Sequence, residues 1–312
     1  MEEEEMKKRM IALAITAILA LGMTACGGST DQKETDQKVT ESSNQETQPD
    51  ETSQDTSVEE TAEVANGDES IAEQVILDQD GIKITAKELI KDSFMGPEIE
   101  LLIENNSDKK IIVQSRNVSI NGYMVQPMMS TEVESGKSAN DSLSFSSTEL
   151  EENGIDTIGQ IELNLVILDP DTYQSIFEPD AIIIETSAAS EVSTTNDDNL
   201  TTLFEQDGII ISYKETDTED WLGAGVRVFI ENQTDQAIVV QARDMSVNGF
   251  MIDPIFSCDV MPGKMSNDSI TIMQSQLDEN NITNIENVEL KFTILNSDTY
   301  ESVLDTDAIV IE

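Results

Sequence analysis

Apolar residues recur at alternate positions in short runs from about residue 71 onward, and clusters of polar turn residues separate the runs. Residues 75–77 (VIL) and 82–84 (IKI) flank Asp78-Gln79-Asp80-Gly81, whose Asp-Gly pair predicts a turn. Residues 98–104 (EIELLIE) predict a strand stopped by Asn105-Asn106-Ser107-Asp108. Residues 110–120 predict another, turned by Asn121-Gly122, the pairing expected of a two-residue type I′ hairpin. Thr131-Glu132-Val133 is a short strand ending at Ser135-Gly136-Lys137, and residues 142–146 (SLSFS) alternate as a half-buried strand should. Residues 148–153 (TELEEN) predict one helical turn ending before Gly154, with Ser147 as its cap. Residues 162–168 (ELNLVIL) and 182–185 (IIIE) complete the set. Short strands with turn signals every eight to twelve residues, over about 110 residues, predict a β-sandwich.

The pattern occurs twice. Residues 112–124 (IVQSRNVSINGYM) return as residues 239–251 (VVQARDMSVNGFM), 127 positions later. Gln79-Asp80-Gly81-Ile82 returns as Gln206-Asp207-Gly208-Ile209, and Asn140-Asp141-Ser142 as Asn267-Asp268-Ser269, at the same spacing. So do Asp171-Thr172-Tyr173, as Asp298-Thr299-Tyr300, and Asp180-Ala181-Ile182, as Asp307-Ala308-Ile309. Roughly two positions in five are identical throughout. The expected fold is all-β, with two tandem β-sandwich domains related by internal duplication, at residues 71–187 and 201–312. Residues 188–200, rich in Ser, Thr, Asn and Asp, form a linker in which nothing predicts a rigid interface. What two copies share is mostly what the fold requires. Specificity is therefore expected where they differ, at Phe94 and Trp221, Met128 and Ile255, and Thr131 and Cys258.

Charge narrows the function. With 63 acidic and 17 basic side chains the net charge is −46, which excludes the basic surface that nucleic acid binding requires. It also opposes adhesion to anionic lipid head groups. Histidine is absent, which removes Ser-His-Asp and Cys-His nucleophiles, the usual general base and imidazole-based zinc sites. Serine-lysine and carboxylate chemistry stay formally open. The two cysteines, Cys26 and Cys258, allow one disulfide at most.

Met6-Lys7-Lys8-Arg9 is a short basic run, residues 11–21 are apolar, and Met23-Thr24-Ala25-Cys26 closes the segment with small residues before a cysteine. This resembles the bacterial lipoprotein signal, which implies cleavage before Cys26 and a diacylglycerol on its thiol. The family usually has leucine where Met23 stands. Eleven apolar residues are too few for a transmembrane span of about 20, which favours a cleaved signal over residues 1–25. An ordinary secretory signal with a coincidental cysteine is the competing reading. Glu2 to Glu5 do not belong in a signal peptide and read as a translated ribosome-binding site, which places the true start at Met6. Residues 26–70 are mostly Ser, Thr, Asp, Glu, Gln and Asn with scarcely an apolar group, so they are expected to be a disordered acidic tether. A long tether suits a Gram-positive type of envelope and places the protein outside the cell membrane, held by the lipid.

The run Glu104-Asn105-Asn106-Ser107-Asp108, repeated as Glu231-Asn232-Gln233-Thr234-Asp235, resembles the immunoglobulin-like domains of unknown function in Gram-positive surface lipoproteins. The resemblance covers both repeats and implies an extracellular immunoglobulin-like sandwich on a lipid-anchored stalk. It carries no catalytic residues.

Four candidate sites follow from residue type. Asp169, Asp171, Glu178 and Asp180, echoed by Asp298, Asp305 and Asp307, could offer oxygens to calcium, although neither copy has EF-hand spacing. A solvated acidic loop is the other reading. Met124, Met128 and Met129, and in the second copy Met251, Cys258, Met261 and Met265, could offer sulfur to Cu(I), or fill core and surface. Cys258 is either a buried apolar filler or an exposed thiol free to pair between chains. Arg116 and Arg243, at equivalent positions in a cation-poor chain, either pair across a sheet with carboxylates or bind an anionic ligand. The aromatic pairs Tyr123/Phe250 and Phe94/Trp221 are core or contact residues, with Trp221 the best single contact candidate.

No nucleophile, base and orienting group assemble from these motifs. The favoured function is a non-catalytic binding or display protein, expected to need no cofactor and to meet a protein or cell-wall ligand. An accessory envelope protein with a structural or metal-binding role, through calcium or copper, is second, and an enzyme last.

Overall fold

The computed structural model describes residues 69–192, 200–218 and 222–312. The first sandwich contains β1 (Gln74–Gln79), β2 (Ile82–Ile90), β3 (Glu98–Asn105), β4 (Ile111–Ile120), β5 (Tyr123–Met124), β6 (Ser130–Val133) and β7 (Lys137–Ser144). The helix α1 (Ser147–Glu152) and strands β8 (Gln160–Leu168), β9 (Ser175–Phe177) and β10 (Ile182–Glu185) follow. One layer has the order β1-β2-β3-β7 and the other β10-β8-β4, with β5 and β6 also on β4 and β9 on β8. The chain crosses from β3 to β4 in the opposite layer, returns to lay β7 against β3, and crosses again to lay β8 against β4. This is the Greek-key order of immunoglobulin-like sandwiches.

The second sandwich contains β11 (Thr201–Gln206), β12 (Ile209–Asp217), β13 (Gly223–Asn232), β14 (Ile238–Val247), β15 (Phe250–Met251), β16 (Ser257–Val260) and β17 (Met265–Met273). It ends with the helix α2 (Gln274–Glu279) and strands β18 (Val288–Asn296), β19 (Ser302–Asp305) and β20 (Ile309–Ile311). Its layers are β11-β12-β13-β17 and β14-β18, with β15 and β16 on β14 and β19 and β20 on β18.

Period-two burial builds each core. Ile99, Leu101 and Ile103 of β3 point inward against Ile161, Leu163, Leu165 and Ile167 of β8. Val226, Val228 and Ile230 of β13 do the same against Leu290, Phe292 and Ile294 of β18. Each such side chain contributes about 1.5–3 kcal/mol when fully buried.

The turns follow their residues. Asn121-Gly122 and Asn248-Gly249 have φ of 52° and 87°, and 51° and 82°, so both central residues are left-handed as a type I′ turn requires. Asp80-Gly81 and Asp207-Gly208 make the same turn, joining β1 to β2 and β11 to β12. Two local expectations need correction. The cap of α1 is Ser146, whose Oγ accepts from the Glu149 N–H at 3.4 Å, and Ser147 is the first helical residue. Strand β7 starts at Lys137, earlier than the alternation of residues 142–146 indicates, because its inward positions before Leu143 are Lys137, Ala139 and Asp141, which give no apolar alternation.

Asn105 explains the repeated Glu-Asn motif. Its Nδ2 donates to the Lys109 and Val133 carbonyls at 2.7 and 2.9 Å, while its Oδ1 accepts from the Ser107 N–H and hydroxyl at 3.0 and 2.6 Å. Asn232 makes the same four bonds with Gln236, Val260 and Thr234. Both side chains are buried with every donor and acceptor used.

The two sandwiches share a sheet. β5 runs parallel to β17 with Tyr123 opposite Met265, and the Met265 N–H donates to the Gly122 carbonyl at 2.9 Å. Strand pairing thus continues through β10-β8-β4-β5-β17-β13-β12-β11. Tyr123 and Phe229 lie 6.2 Å apart between ring centroids. Phe229 and Met265 of the second sandwich pack with the core of the first, and Met124 of the first packs with the core of the second. The linker composition gives no hint of this contact, since it is made by outward-facing strand residues far from the linker.

Candidate functional site

Three surface features could meet a partner. The first is an apolar rim at one end of the first sandwich. Phe94 is 99% exposed, Met95 49% and Met128 57%. Gly96 sets the turn that presents Phe94: its φ is +127°, and a Cβ there would lie 2.3 Å from the Phe145 carbonyl oxygen. The Ser147 N–H donates to the Met95 carbonyl at 3.3 Å, and the Met128 N–H to the Ser144 carbonyl at 3.0 Å. One short segment, the end of β7 and the start of α1, therefore holds both flanks of the rim. The second sandwich presents Ile255, 59% exposed, at the matching bridge to Thr271. Trp221 lies outside the described residues.

The second feature is an open groove of about 760 Å³ on the outer face of β2, β3 and β7. Glu88, Glu98, Glu100 and Asp141 make it acidic, with Lys87 held by Glu73 at 2.7 Å. Glu98 accepts from the Ser142 and Ser144 hydroxyls at 3.2 and 3.1 Å.

The third is a cleft of about 280 Å³ where α1 meets the second sandwich. Arg227 reaches Glu152 at 3.1 Å across the junction, and Asp217 and Glu215 of its own sandwich at 3.5 and 3.6 Å. Asn267 donates to Asn153 Oδ1 at 3.1 Å, and Lys264 pairs with Glu162 at 2.5 Å. Burial raises the Glu149 carboxyl above its ordinary range; the Gln126 N–H bond opposes this, and the charges of Glu152 and Asp268 add to it.

The remaining sequence candidates fall as follows. Arg116 lies 3.9 Å from Glu178, both side chains more than half exposed. Arg243 donates to Gln241 Oε1 on its own strand and stands opposite Lys291. Asp169 accepts from the Asp171 N–H, the Thr172 N–H and the Thr172 hydroxyl at 3.0, 3.0 and 3.1 Å. At the equivalent turn Asn296 accepts the same three bonds, from Asp298 and Thr299, at 3.1, 3.0 and 3.2 Å. A neutral amide performs the same task, so the acid at position 169 shapes a turn. Among the described residues no group of three or more Cys, Asp or Glu is placed to hold a metal ion. The sulfurs are dispersed: Met124 is buried at the junction, Met128 and Met251 are exposed, and Met261 packs with the second core. Cys258 is buried, with its Sγ 3.2 Å from Ser266 Oγ, and burial pushes its thiol well above the usual range. Cys26 lies outside the described residues. Among those described, no helix is long and apolar enough to cross a membrane.

No family model matches the chain, and no curated protein sequence does. Among solved structures it is similar to the Salmonella enterica SafA pilin in complex with the SafB chaperone, at 12% identity, over 75% of this chain and 97% of that one, with a TM-score of 0.24. A YadV chaperone matches at 10% identity, over 67% and 90%, with a TM-score of 0.21. A Porphyromonas gingivalis protein of unknown function matches at 13% identity, over 65% and 84%, with a TM-score of 0.16. None of these assigns a residue or an activity to this chain.

The residues that sequence reasoning missed are those of the junction, Arg227, Glu152 and Phe229, and Met95 of the rim. Phe229 carries the one signal that could have found it: an aromatic on the outward parity of a strand whose inward positions are already apolar.

Proposed function

We propose that this is a non-catalytic binding protein displayed on the outer face of a Gram-positive type of cell membrane by a lipid on Cys26. The observation that carries the binding role is the rim of Phe94, Met95 and Met128, with Phe94 fully open to solvent on a turn that Gly96 fixes. A large aromatic held out of the core by a rigid turn has no packing role, and aromatic anchors dominate protein interfaces. Trp221 holds the matching sequence position, 127 residues on. The rim's own side chains, Phe94, Met95 and Met128, carry no acid, base or nucleophile. The rim should therefore take a protein or cell-wall ligand without transforming it. An accessory structural role is favoured by one observation, the strand pairing that joins the two sandwiches into one sheet.

Two measurements test the proposal. Metabolic labelling with an alkynyl fatty acid should mark the wild-type chain and leave Cys26→Ala unmarked; equal labelling removes the anchor. Purified protein should be retained on Gram-positive envelope preparations, and Phe94→Asp should reduce retention at least about tenfold. Equal retention of the variant would remove the rim from the binding role.

A further inference from the structure

The junction between the sandwiches has a tip and a seat, and the chain carries each of them twice. The tip on the first sandwich is Gly122, Tyr123 and Met124, with Glu152, Asn153 and Glu162 beside it. The seat on the second is Arg227, Phe229, Lys264, Met265 and Asn267. Five contacts join them: Tyr123 on Phe229, the Gly122 carbonyl to the Met265 N–H, Glu152 to Arg227, Asn153 to Asn267, and Glu162 to Lys264.

The second sandwich bears the same tip 127 positions on, as Gly249, Phe250, Met251, Glu279, Asn280 and Glu289. Tyr123 and Met124 are 8% and 7% exposed, whereas Phe250 and Met251 are 48% and 69% exposed. The first sandwich has the equivalent seat positions 127 residues back, as Glu100, Leu102, Lys137, Ser138 and Asn140, with Lys137 and Asn140 unchanged. All but the half-buried Leu102 are exposed. The acidic groove opens over this seat, at the place where α1 narrows the matching cleft in the second sandwich.

We infer that a second copy of this chain docks here, head to tail, with the Phe250 tip of one copy on the Leu102 seat of the next. Four of the five contacts recur in kind: Phe250 with Leu102, the Gly249 carbonyl with the Ser138 N–H, Asn280 with Asn140, and Glu289 with Lys137. The fifth is reversed, because Glu100 stands where the second seat has Arg227 and would face Glu279. That like-charge pair weakens the contact and makes it sensitive to salt. Tip and seat are different surfaces, so the contact is heterologous, and copies build a ring or a row, as the rotation between them dictates, with strand pairing passing from one to the next. The inference is independent of the lipid anchor and of the Phe94 rim.

Sedimentation velocity on the mature chain carrying Cys26→Ser tests it. Glu100→Arg supplies the missing cation and should produce larger species that grow with concentration, with a dissociation constant at least about tenfold below that of the parent chain. Glu279→Arg should do the same from the other side, and the two together should return to the weak association of the parent. Adding Phe250→Asp to Glu100→Arg should restore the monomer. Glu100, Phe250 and Glu279 are all exposed, and a thermal melt confirms that each variant folds. A Glu100→Arg chain that stays monomeric to about 100 µM overturns the inference. So does association that survives Phe250→Asp, since a different surface would then be responsible.

Discussion

The Arg227 guanidinium of the second sandwich lies 3.1 Å from the Glu152 carboxylate of the first, beside two carboxylates of its own sheet. Arg227 ties α1 to β13, and it sits over a partly covered cleft. Because the Glu152 side chain is 46% exposed, solvent screens the pair, and its coupling should be modest. A double-mutant cycle with Arg227→Ala and Glu152→Ala, read by urea denaturation, should give a coupling of about 0.5–1.5 kcal/mol. A value indistinguishable from zero would mean that the other contacts, Tyr123 with Phe229, Gly122 with Met265, Asn153 with Asn267 and Glu162 with Lys264, hold the junction without this pair.

Asn105 and Asn232 should be the polar residues least tolerant of change. Asn105→Ala leaves the Val133 carbonyl without its buried partner and takes from the Ser107 N–H and hydroxyl the oxygen that orders the turn. A loss of about 2–4 kcal/mol is expected for either alanine variant, measured by chemical denaturation. A loss below about 0.5 kcal/mol, typical of a surface site, would contradict the anchoring role given to the Glu-Asn motif.

Asp169 gives a pH dependence that Asn296 does not. The Thr172 N–H bond, then the Thr172 hydroxyl, hold its carboxyl below the usual carboxylate range. A carboxylate whose folded pKa is depressed stabilises fully above its unfolded value near about 3.9, and that contribution fades as pH falls through the folded value. Asp169→Asn should thus leave the melting temperature at pH 7 unchanged and flatten part of its decline at acid pH. A parent chain whose melting temperature rises with calcium while that of Asp169→Asn does not would reinstate a cation at this loop.

Cys258 occupies the position of Thr131, whose hydroxyl donates to Asp141. Asp268 is the matching acid in the second repeat, so Cys258→Thr should be accommodated, with a change within about 1 kcal/mol. In a chain lacking Cys26, a thiol reagent should react with native Cys258 only as fast as the protein unfolds, because burial keeps the thiol protonated. Rapid stoichiometric modification of the native chain would show that the thiol is accessible.

Much of each sandwich was legible because its signals are local. Asn121-Gly122 and Asn248-Gly249 specify their turns through the φ values that only certain residues adopt, β3 and the first half of β8 follow from alternating side chains, and β4 and β10 from short β-branched runs. The shift of the α1 cap from Ser147 to Ser146 reflects two adjacent serines that the sequence ranks equally. Strand β7 was legible only in part, because its inward positions Lys137, Ala139 and Asp141 offer no apolar contrast to Ser138, Asn140 and Ser142 between them. Strand β9, three residues long, has too few positions to show a period.

The sequence by itself determined the period of each strand, the turn chemistry and the 127-residue spacing of equivalent positions, since these depend on a residue and its near neighbours. Only the tertiary structure decided that Tyr123 is covered while Phe250 is open, although the two occupy the same place in the same hairpin. Nothing within either hairpin distinguishes them. The difference arises because the second sandwich lies beyond the first in the chain and brings Phe229 and Met265 against Tyr123. Burial is a property of what packs on a residue, and alternation records only which face of a strand it occupies.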